Sequence, residues 1–466
     1  MVIGKRSCVQ ARRPDFSERR GERSLLVWGE LAQWMVLDHE AATFIAALDG
    51  RTPWREVCRA HGQRWGKSVV QVDAEARALV SVLQARGLAG PAPLAPPEVT
   101  VSSAALANVT FNVTNRCNLR CPWCYNGSRG GEEVPIEVVL AALAAARPQM
   151  APDASLIILG GEPFLAPERL LPLLRGAAPL FGQPLLVSTN GTIMSGEMIA
   201  ALAGLPVEVQ VSLDGATARQ HDAARGSGVF ARALATIRAL VAAGVRTIVS
   251  MVYHRDNLQN FEPLLGLAES LGVAEVRFIP LRAIGGGRAH VAQLPNQMEA
   301  MQRLLAIVDA KPALSRLLAR DYFSMGALVL QRAVRQRNCG IGRQVLFIDA
   351  DGSLYPCPNH VAPALRLGHV STHPLAALST TSEVLAEVGT RYDLARYHRC
   401  KSCVFRHWCA GDCRGEVVAM GGDAGDPSPH CAELRAMFRE LMWRLVDGEL
   451  PWVASLASRA GGVGHA

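Results

Sequence analysis

No stretch of this chain approaches the ~20 consecutive apolar residues needed to cross a bilayer, although 49% of its 466 residues are hydrophobic. That excludes a membrane-spanning helix. The polar, arginine-rich segment from Met1 to Arg23 has no apolar h-region, so no secretory signal is expected and the expected address is the cytoplasm. A formal charge of +7 is modest for this length and is spread along the chain. Neither a nucleic-acid nor a membrane partner is expected from it. Cysteine is missing from the long interval between Cys124 and Cys339, yet the chain holds 12 cysteines. In a reducing compartment these are not expected to pair as disulfides. Their clustering at 117–124 and 339–431 points to ligation of metal or clusters, with Cys8 and Cys58 left as ordinary thiols.

The first group, Cys117-Asn118-Leu119-Arg120-Cys121-Pro122-Trp123-Cys124, follows an alternating run, Val109-Thr110-Phe111-Asn112-Val113, that reads as a strand. Three thiolates on one loop suit a cubane iron–sulfur cluster better than zinc, which normally recruits four protein ligands in structural sites. A zinc knuckle is the competing reading of these residues alone. The C-x3-C-x2-C spacing, with Tyr125 after it, resembles the radical S-adenosylmethionine enzymes. The resemblance implies a [4Fe–4S] cluster on Cys117, Cys121 and Cys124 whose free iron is chelated by S-adenosylmethionine.

Upstream, residues 1–22 offer nothing to bury and are expected to be disordered. Ser24–Trp28 and Trp34–Leu37 can form a hairpin. Asp38 caps a helix over His39–Leu48, Thr52-Pro53 opens a second, and Asp73–Arg86 is a third, with Ala76, Leu79, Val80 and Leu83 on one face. Strands followed by three helices make residues 23–90 a winged-helix-like unit. The run Val36-Leu37-Asp38 to Ala41-Ala42, then Leu48-Asp49-Gly50-Arg51-Thr52, resembles the small peptide-binding chaperone of pyrroloquinoline-quinone biosynthesis. That implies capture of a leader peptide as an added strand on a sheet edge. A DNA-binding winged helix is the rival, opposed by a nearly neutral third helix in which Arg77 and Arg86 face Asp73 and Glu75.

A proline-rich linker, 91–106, leads into alternating strand and helix patterns over 107–290. Strands are expected at Val109–Thr114, Leu156–Gly160, Leu185–Thr189, Val207–Leu213, Thr247–Tyr253 and Val276–Pro280. The fold class is α/β, a partial (β/α)6 barrel with chemistry at the C-terminal strand ends. There lie Gly160-Gly161-Glu162-Pro163, Ser188 and Asn190, and Ser212 and Asp214, followed by Arg225. In the radical enzymes these positions meet S-adenosylmethionine. Glu162 is expected to accept from its ammonium, and Arg225 to lie near its carboxylate. Gly285-Gly286-Gly287-Arg288 has no assigned purpose.

A leucine-patterned helical bridge over 291–338 precedes a cysteine-rich domain over 339–446 and a tail over 447–466. Cys339, Cys357, Cys400, Cys403, Cys409, Cys413 and Cys431 resemble the seven-cysteine SPASM extension. A zinc ribbon would fit Cys400, Cys403, Cys409 and Cys413 in isolation. The resemblance implies two auxiliary [4Fe–4S] clusters, one on Cys400, Cys403, Cys409 and Cys431 and one on Cys339, Cys357 and Cys413. The second lacks a fourth cysteine. The implied activity is that of a radical oxidoreductase acting on a peptide. S-adenosylmethionine is cleaved to a 5′-deoxyadenosyl radical that modifies a ribosomal precursor peptide by a thioether or carbon–carbon crosslink. The electron comes from a low-potential donor such as ferredoxin or flavodoxin. The alternatives are a formylglycine-type sulfatase maturase, opposed by Pro358 after Cys357, and a non-enzymatic iron–sulfur electron carrier.

Overall fold

The computed structural model describes residues 3–95, 100–103, 105–127 and 130–453, with 379 and 380 as backbone only. Pro96 and Pro97 of the expected linker, and residues 454–466 of the expected tail, lie outside them.

The N-terminal unit is built from β1 (Cys8–Ala11), β2 (Phe16–Arg20), β3 (Arg23–Trp28), β4 (Gln33–Asp38), α1 (His39–Ala47), β5 (Asp49–Pro53), α2 (Trp54–Trp65), α3 (Val69–Ala85) and β6 (Ala89–Pro91). Strands β2-β3-β4 form one antiparallel sheet and β5-β1-β6 a second. The disorder expected over residues 1–22 is corrected here: β1 and β2 both fall inside that stretch. Local polarity concealed them because β1 is held by partners far along the chain, Cys8 opposite Pro53 and Val9 opposite Pro91. The Asp38 side chain accepts from Ala41 N–H and caps α1. Gly66 ends α2 at φ 66°, a left-handed conformation that costs glycine little. α3 starts four residues before the expected Asp73, because Ser68 and Gln71 form a reciprocal capping box. Ala76, Val80 and Leu83 are buried and Leu79 half-buried, against Phe44, Trp54 and Val57.

After β7 (Thr100–Val101) the chain alternates β8 (Leu106–Asn112), α4 (Ile136–Ala146), β9 (Met150–Leu159), α5 (Pro167–Ala177), β10 (Leu185–Thr189), α6 (Gly196–Ala203), β11 (Val207–Ser212), α7 (Ala218–Arg225), α8 (Val229–Ala242), β12 (Arg246–Tyr253), α9 (Phe261–Ser270) and β13 (Glu275–Pro280). β8 to β13 pair in parallel in chain order, each strand beside its successor. Val and Ile dominate their centres, as strands buried on both faces require. At the N-terminal strand ends, Glu208 and Glu275 are held by Arg246 and Arg320.

The bridge holds α10 (Gln297–Ala310) and α11 (Tyr322–Leu330), then β14 (Val334–Arg335), which pairs with β7. Next come β15 (Val345–Ile348), β16 (Ser353–Tyr355), β17 (Gly368–His369), α12 (Leu378–Thr381), α13 (Glu383–Arg391), α14 (Arg406–Cys409), α15 (Arg414–Ala419) and α16 (Cys431–Val446). β15 pairs in parallel with β8, so the cysteine-rich region begins by extending the barrel sheet. The N-terminal unit docks on this region. Trp34 Nε1 donates to Leu330 O at 2.7 Å, Arg20 pairs with Glu440 at 3.1 Å, and Gly29 passes so close to Val404 O that a Cβ would lie 2.4 Å away. No helix among the described residues is long and apolar enough to cross a membrane.

Candidate active site

The loop carrying Cys117, Cys121 and Cys124 leaves the C-terminal end of β8 and rims a cavity of about 350 Å³. The cavity wall also takes Gly160 and Gly161 after β9, Ser188, Thr189 and Asn190 at the end of β10, Gln210 and Ser212 of β11, Ser250 of β12, Ile279 of β13, and Arg225. Backbone packing sets the floor. A Cβ on Gly160 would stand 2.3 Å from Thr114 O, and one on Gly161 2.2 Å from Arg116 O. The glycines are needed so that β9 can turn flush beneath the cysteine loop.

Glu162 is not in the cavity wall. Its carboxylate is fully buried and accepts from Thr189 Oγ1 (2.7 Å), Asn190 N–H (2.7 Å) and Phe164 N–H (3.2 Å). Those bonds tie the β9 and β10 ends together. Pro163 is buried behind it, opening a short turn. Burial pushes the Glu162 carboxyl up to about 7 against the pull of those hydrogen bonds. The folded state therefore holds this proton more tightly than the unfolded chain. Its contribution to stability is full below about pH 4 and is lost as the pH rises through about 7. Glu162→Gln is expected to flatten that part of the stability-versus-pH curve and to cost about 1 kcal/mol for one unmatched hydrogen bond. Urea denaturation across that pH range checks it, and an unchanged slope would contradict the assignment.

Asp214 also lies outside the wall. Buried, it accepts from Val252 N–H at 2.9 Å and pairs with Arg225 Nε at 2.6 Å. Arg225 thus reaches the cavity with its charge partly balanced, and its Nη1 lies 4.0 Å from Cys121 Sγ. Burial pushes the Cys121 thiol up while Arg225 pulls it down. His221 Nδ1 accepts from Asp214 N–H at 3.0 Å and backs the pair. Asn190 donates to Asn118 Oδ1 at 2.9 Å and so fastens the cysteine loop to β10.

Several cavity residues have no conspicuous sequence signal. Arg282 and Asn359 both line the wall. Gly285 and Gly286, visible in the sequence but unexplained, lie against the cysteine loop. Gly286 N–H donates to Cys124 O at 2.8 Å, and a Cβ there would meet Pro122 O at 2.3 Å. Trp123 packs against His254 and His290 at ring-centroid distances of 5.1 and 6.0 Å.

Beyond the cavity the structure sorts the remaining cysteines into two sets. Burial pushes Cys409 up, and Cys431, Cys400 and Cys403 add to it; Cys357 is pushed up by burial and then by Cys339 and Cys413. Asn359 joins the second set to the cavity: its N–H donates to Cys357 Sγ at 3.4 Å and its Nδ2 lies 4.0 Å from Cys413 Sγ. Cys8 and Cys58 stand apart, Cys8 donating to Arg51 O at 3.2 Å and Cys58 buried in the N-terminal unit. Among the described residues no three Cys, His, Asp or Glu side chains converge as a single-ion site. A zinc ion with Zn–S near 2.3 Å would draw its thiolates together on one point. A cubane, which meets each thiolate with a different iron, takes them further apart. Thiols grouped in this way and raised by desolvation are costly to ionise without a metal, and they fit clusters that take the place of the proton.

A partial parallel barrel with a three-cysteine loop over a glycine-floored cavity defines a cluster-dependent, cofactor-cleaving enzyme. The Radical SAM superfamily model matches residues 111–268, and the iron-sulfur cluster-binding SPASM domain matches 339–404. The chain is 30% identical over 339 residues to the mycofactocin maturase MftC of Mycobacterium ulcerans (strain Agy99), covering 70% of this chain and 87% of that one. It is 28% identical over 362 residues to the PqqA peptide cyclase of Streptomyces rochei, covering 74% and 95%. The structure of Streptococcus suis SuiB bound to its precursor peptide SuiA shares the fold at TM-score 0.53 and 12% identity, over 91% of this chain and 98% of that one. This chain belongs to the radical SAM superfamily. Its cofactors are S-adenosylmethionine and [4Fe–4S] clusters, the latter also in its SPASM domain.

Proposed function

We propose that this enzyme is a peptide maturase: it binds a ribosomally made precursor through the N-terminal unit and modifies that peptide's core in the barrel cavity. The observation that carries the reading is the fusion of a strand-edged binding unit to the radical core. β4 ends the three-stranded sheet and, among the described residues, pairs only with β3. Beside its C-terminal end is a groove of about 390 Å³ lined by Leu37, Phe44, Val72 and Leu79, with Glu40, Lys67 and Glu75 around it. An extended leader added to this edge gains backbone hydrogen bonds from β4 and places alternate side chains against α3. The maturase and cyclase named above give the same substrate class among relatives.

In this reading Cys117, Cys121 and Cys124 hold the radical cluster. Gly160, Gly161, Ser188, Asn190, Ser212 and Arg225 contact S-adenosylmethionine, Asp214 orients Arg225, and Glu162 with Pro163 keeps the floor in shape. When bound, cluster and cofactor supply a 5′-deoxyadenosyl radical able to take hydrogen from carbon. The chain's own work is to hold the cofactor against β9–β11 and to exclude water with Trp123, Ile279 and Leu281. It also presents the peptide between that site and Asn359. The two cysteine sets carry two auxiliary clusters, and a cytoplasmic low-potential donor such as ferredoxin or flavodoxin supplies the electron. A formylglycine-type maturase is not favoured. Its base would be a carboxylate, yet none lines the cavity among the described residues, and Pro358 follows Cys357.

Leu79→Arg tests the leader site. Half-buried in the groove, Leu79 tolerates a longer side chain while the apolar contact is lost. The affinity for its precursor peptide is expected to fall at least about tenfold, the equivalent of about 1.4 kcal/mol. Peptide-independent formation of 5′-deoxyadenosine is expected to stay unchanged. Unaltered leader affinity would refute the groove.

A further inference from the structure

Arg414 follows Cys413 and begins α15, and only 1% of its surface is exposed. Its Nη1 donates to the carbonyls of Ala424 (3.0 Å) and Asp426 (2.7 Å), and its guanidinium lies 5.1 Å from the centroid of the Tyr397 ring. Among the described residues Nε and Nη2 have no hydrogen-bond partner. Among the described residues no carboxylate pairs with this cation. A buried guanidinium with two idle nitrogens and no counter-ion is costly unless an anion comes to it. Cysteines of both sets lie around it: Arg414 directly follows Cys413, and Cys357 of one set and Cys400 of the other pack against the cluster that holds Tyr397 and Ala424. The Tyr397 hydroxyl, also buried, points a second unpartnered donor into the same region.

We propose that Arg414 is a positioning residue shared by the two auxiliary clusters, donating Nε–H and Nη2–H to their sulfurs and setting both reduction potentials. The proposal rests on the assignment of the two cysteine sets to [4Fe–4S] clusters. Each cluster gains one negative charge when it takes one electron. A fixed cation and hydrogen bonds to sulfur stabilise that reduced state and raise the potential.

The test is a potentiometric titration of the reconstituted holoenzyme followed by electron paramagnetic resonance, comparing the wild type with Arg414→Gln and Arg414→Lys. In R414Q both auxiliary potentials are expected to fall, each by at least a tenfold change in the oxidised-to-reduced ratio, about 59 mV for a one-electron couple. The potential of the cluster on Cys117, Cys121 and Cys124 should not move. R414K keeps the charge and loses the planar fork, so its auxiliary potentials should lie between those of wild type and R414Q. If R414Q fails to load, R414K decides alone: lowered auxiliary potentials support the role, and wild-type values overturn it. Unchanged potentials in R414Q, or a shift of one auxiliary cluster only, also overturn it. Failure of cluster assembly in the wild type would count against the cluster assignment itself, a separate outcome from wild-type potentials in fully loaded variants.

Discussion

Cys121→Ala is expected to abolish release of 5′-deoxyadenosine from S-adenosylmethionine under dithionite and to remove the iron of one cluster while the SPASM clusters remain. In the proposed assignment three thiolates on one short loop are the whole protein contribution to that cluster, so losing one leaves two neighbours that cannot hold it. Cys121 is also the cysteine nearest Arg225, at 4.0 Å from Nη1, which places it where the loop faces the cofactor cavity. Cys8→Ala serves as the control, because Cys8 lies in β1 and its thiol meets the backbone carbonyls of Arg6 and Arg51. The measurement is product release by chromatography together with iron content. Turnover by C121A would sink the assignment of the loop as the catalytic cluster site.

The second large effect is expected at Arg282, where barrel and SPASM domain are joined by charge. Arg282 follows β13 and makes a bidentate contact with Asp412 at 2.9 and 3.0 Å, and a further bond to Glu416 at 2.7 Å. Glu416 also accepts from Ala283 N–H, and Ser428 Oγ donates to Asp412 at 2.6 Å. Both carboxylates are buried or nearly so, with side-chain exposures of 6% for Asp412 and 0% for Glu416. Burial opposes the charge on Asp412, yet Arg282 more than compensates and holds its carboxyl far below the usual range. Arg282→Gln leaves two close carboxylates with only His430, 3.4 Å from Glu416, as a neighbouring cation. Removing one partner of a buried pair costs about 3–5 kcal/mol, mostly because the other charge stays behind. Because Asp412 precedes Cys413, the loss should also reach the auxiliary cluster. Denaturation followed by iron–sulfur absorbance is expected to show the SPASM signal lost at lower denaturant than in wild type. A change below about 1 kcal/mol would remove this bridge from the account of how the domains are held.

The six parallel strands were legible because each is a short apolar run ended by a turn, and such a signal survives in any local window. β10 begins and ends on the expected residues, Leu185 and Thr189, and α4 spans Ile136–Ala146 as expected. Strand β1 was not legible. Nothing in Cys8–Ala11 marks a strand until β5 and β6 supply its partners. The start of α3 was missed for a smaller reason: Ser68 and Gln71 cap the helix one turn before its apolar stripe becomes regular.

Within the site the division follows the same physics. The positions of Cys117, Cys121 and Cys124, and the glycines that follow β9, are matters of spacing along one chain segment, and the sequence by itself determined that they meet at a strand end. Which way a side chain turns depends on partners brought in from other strands. Thr189 and Asn190 hold the Glu162 carboxylate, and Arg225 pairs with Asp214. The run Gly285-Gly286-Gly287 acquired a purpose only when the loop after β13 was laid against Pro122 and Cys124. Composition and motif determined the cofactor chemistry, because ligation depends on residue type and local spacing. Tertiary structure decided what surrounds it, because burial and charge pairing depend on residues hundreds of positions apart.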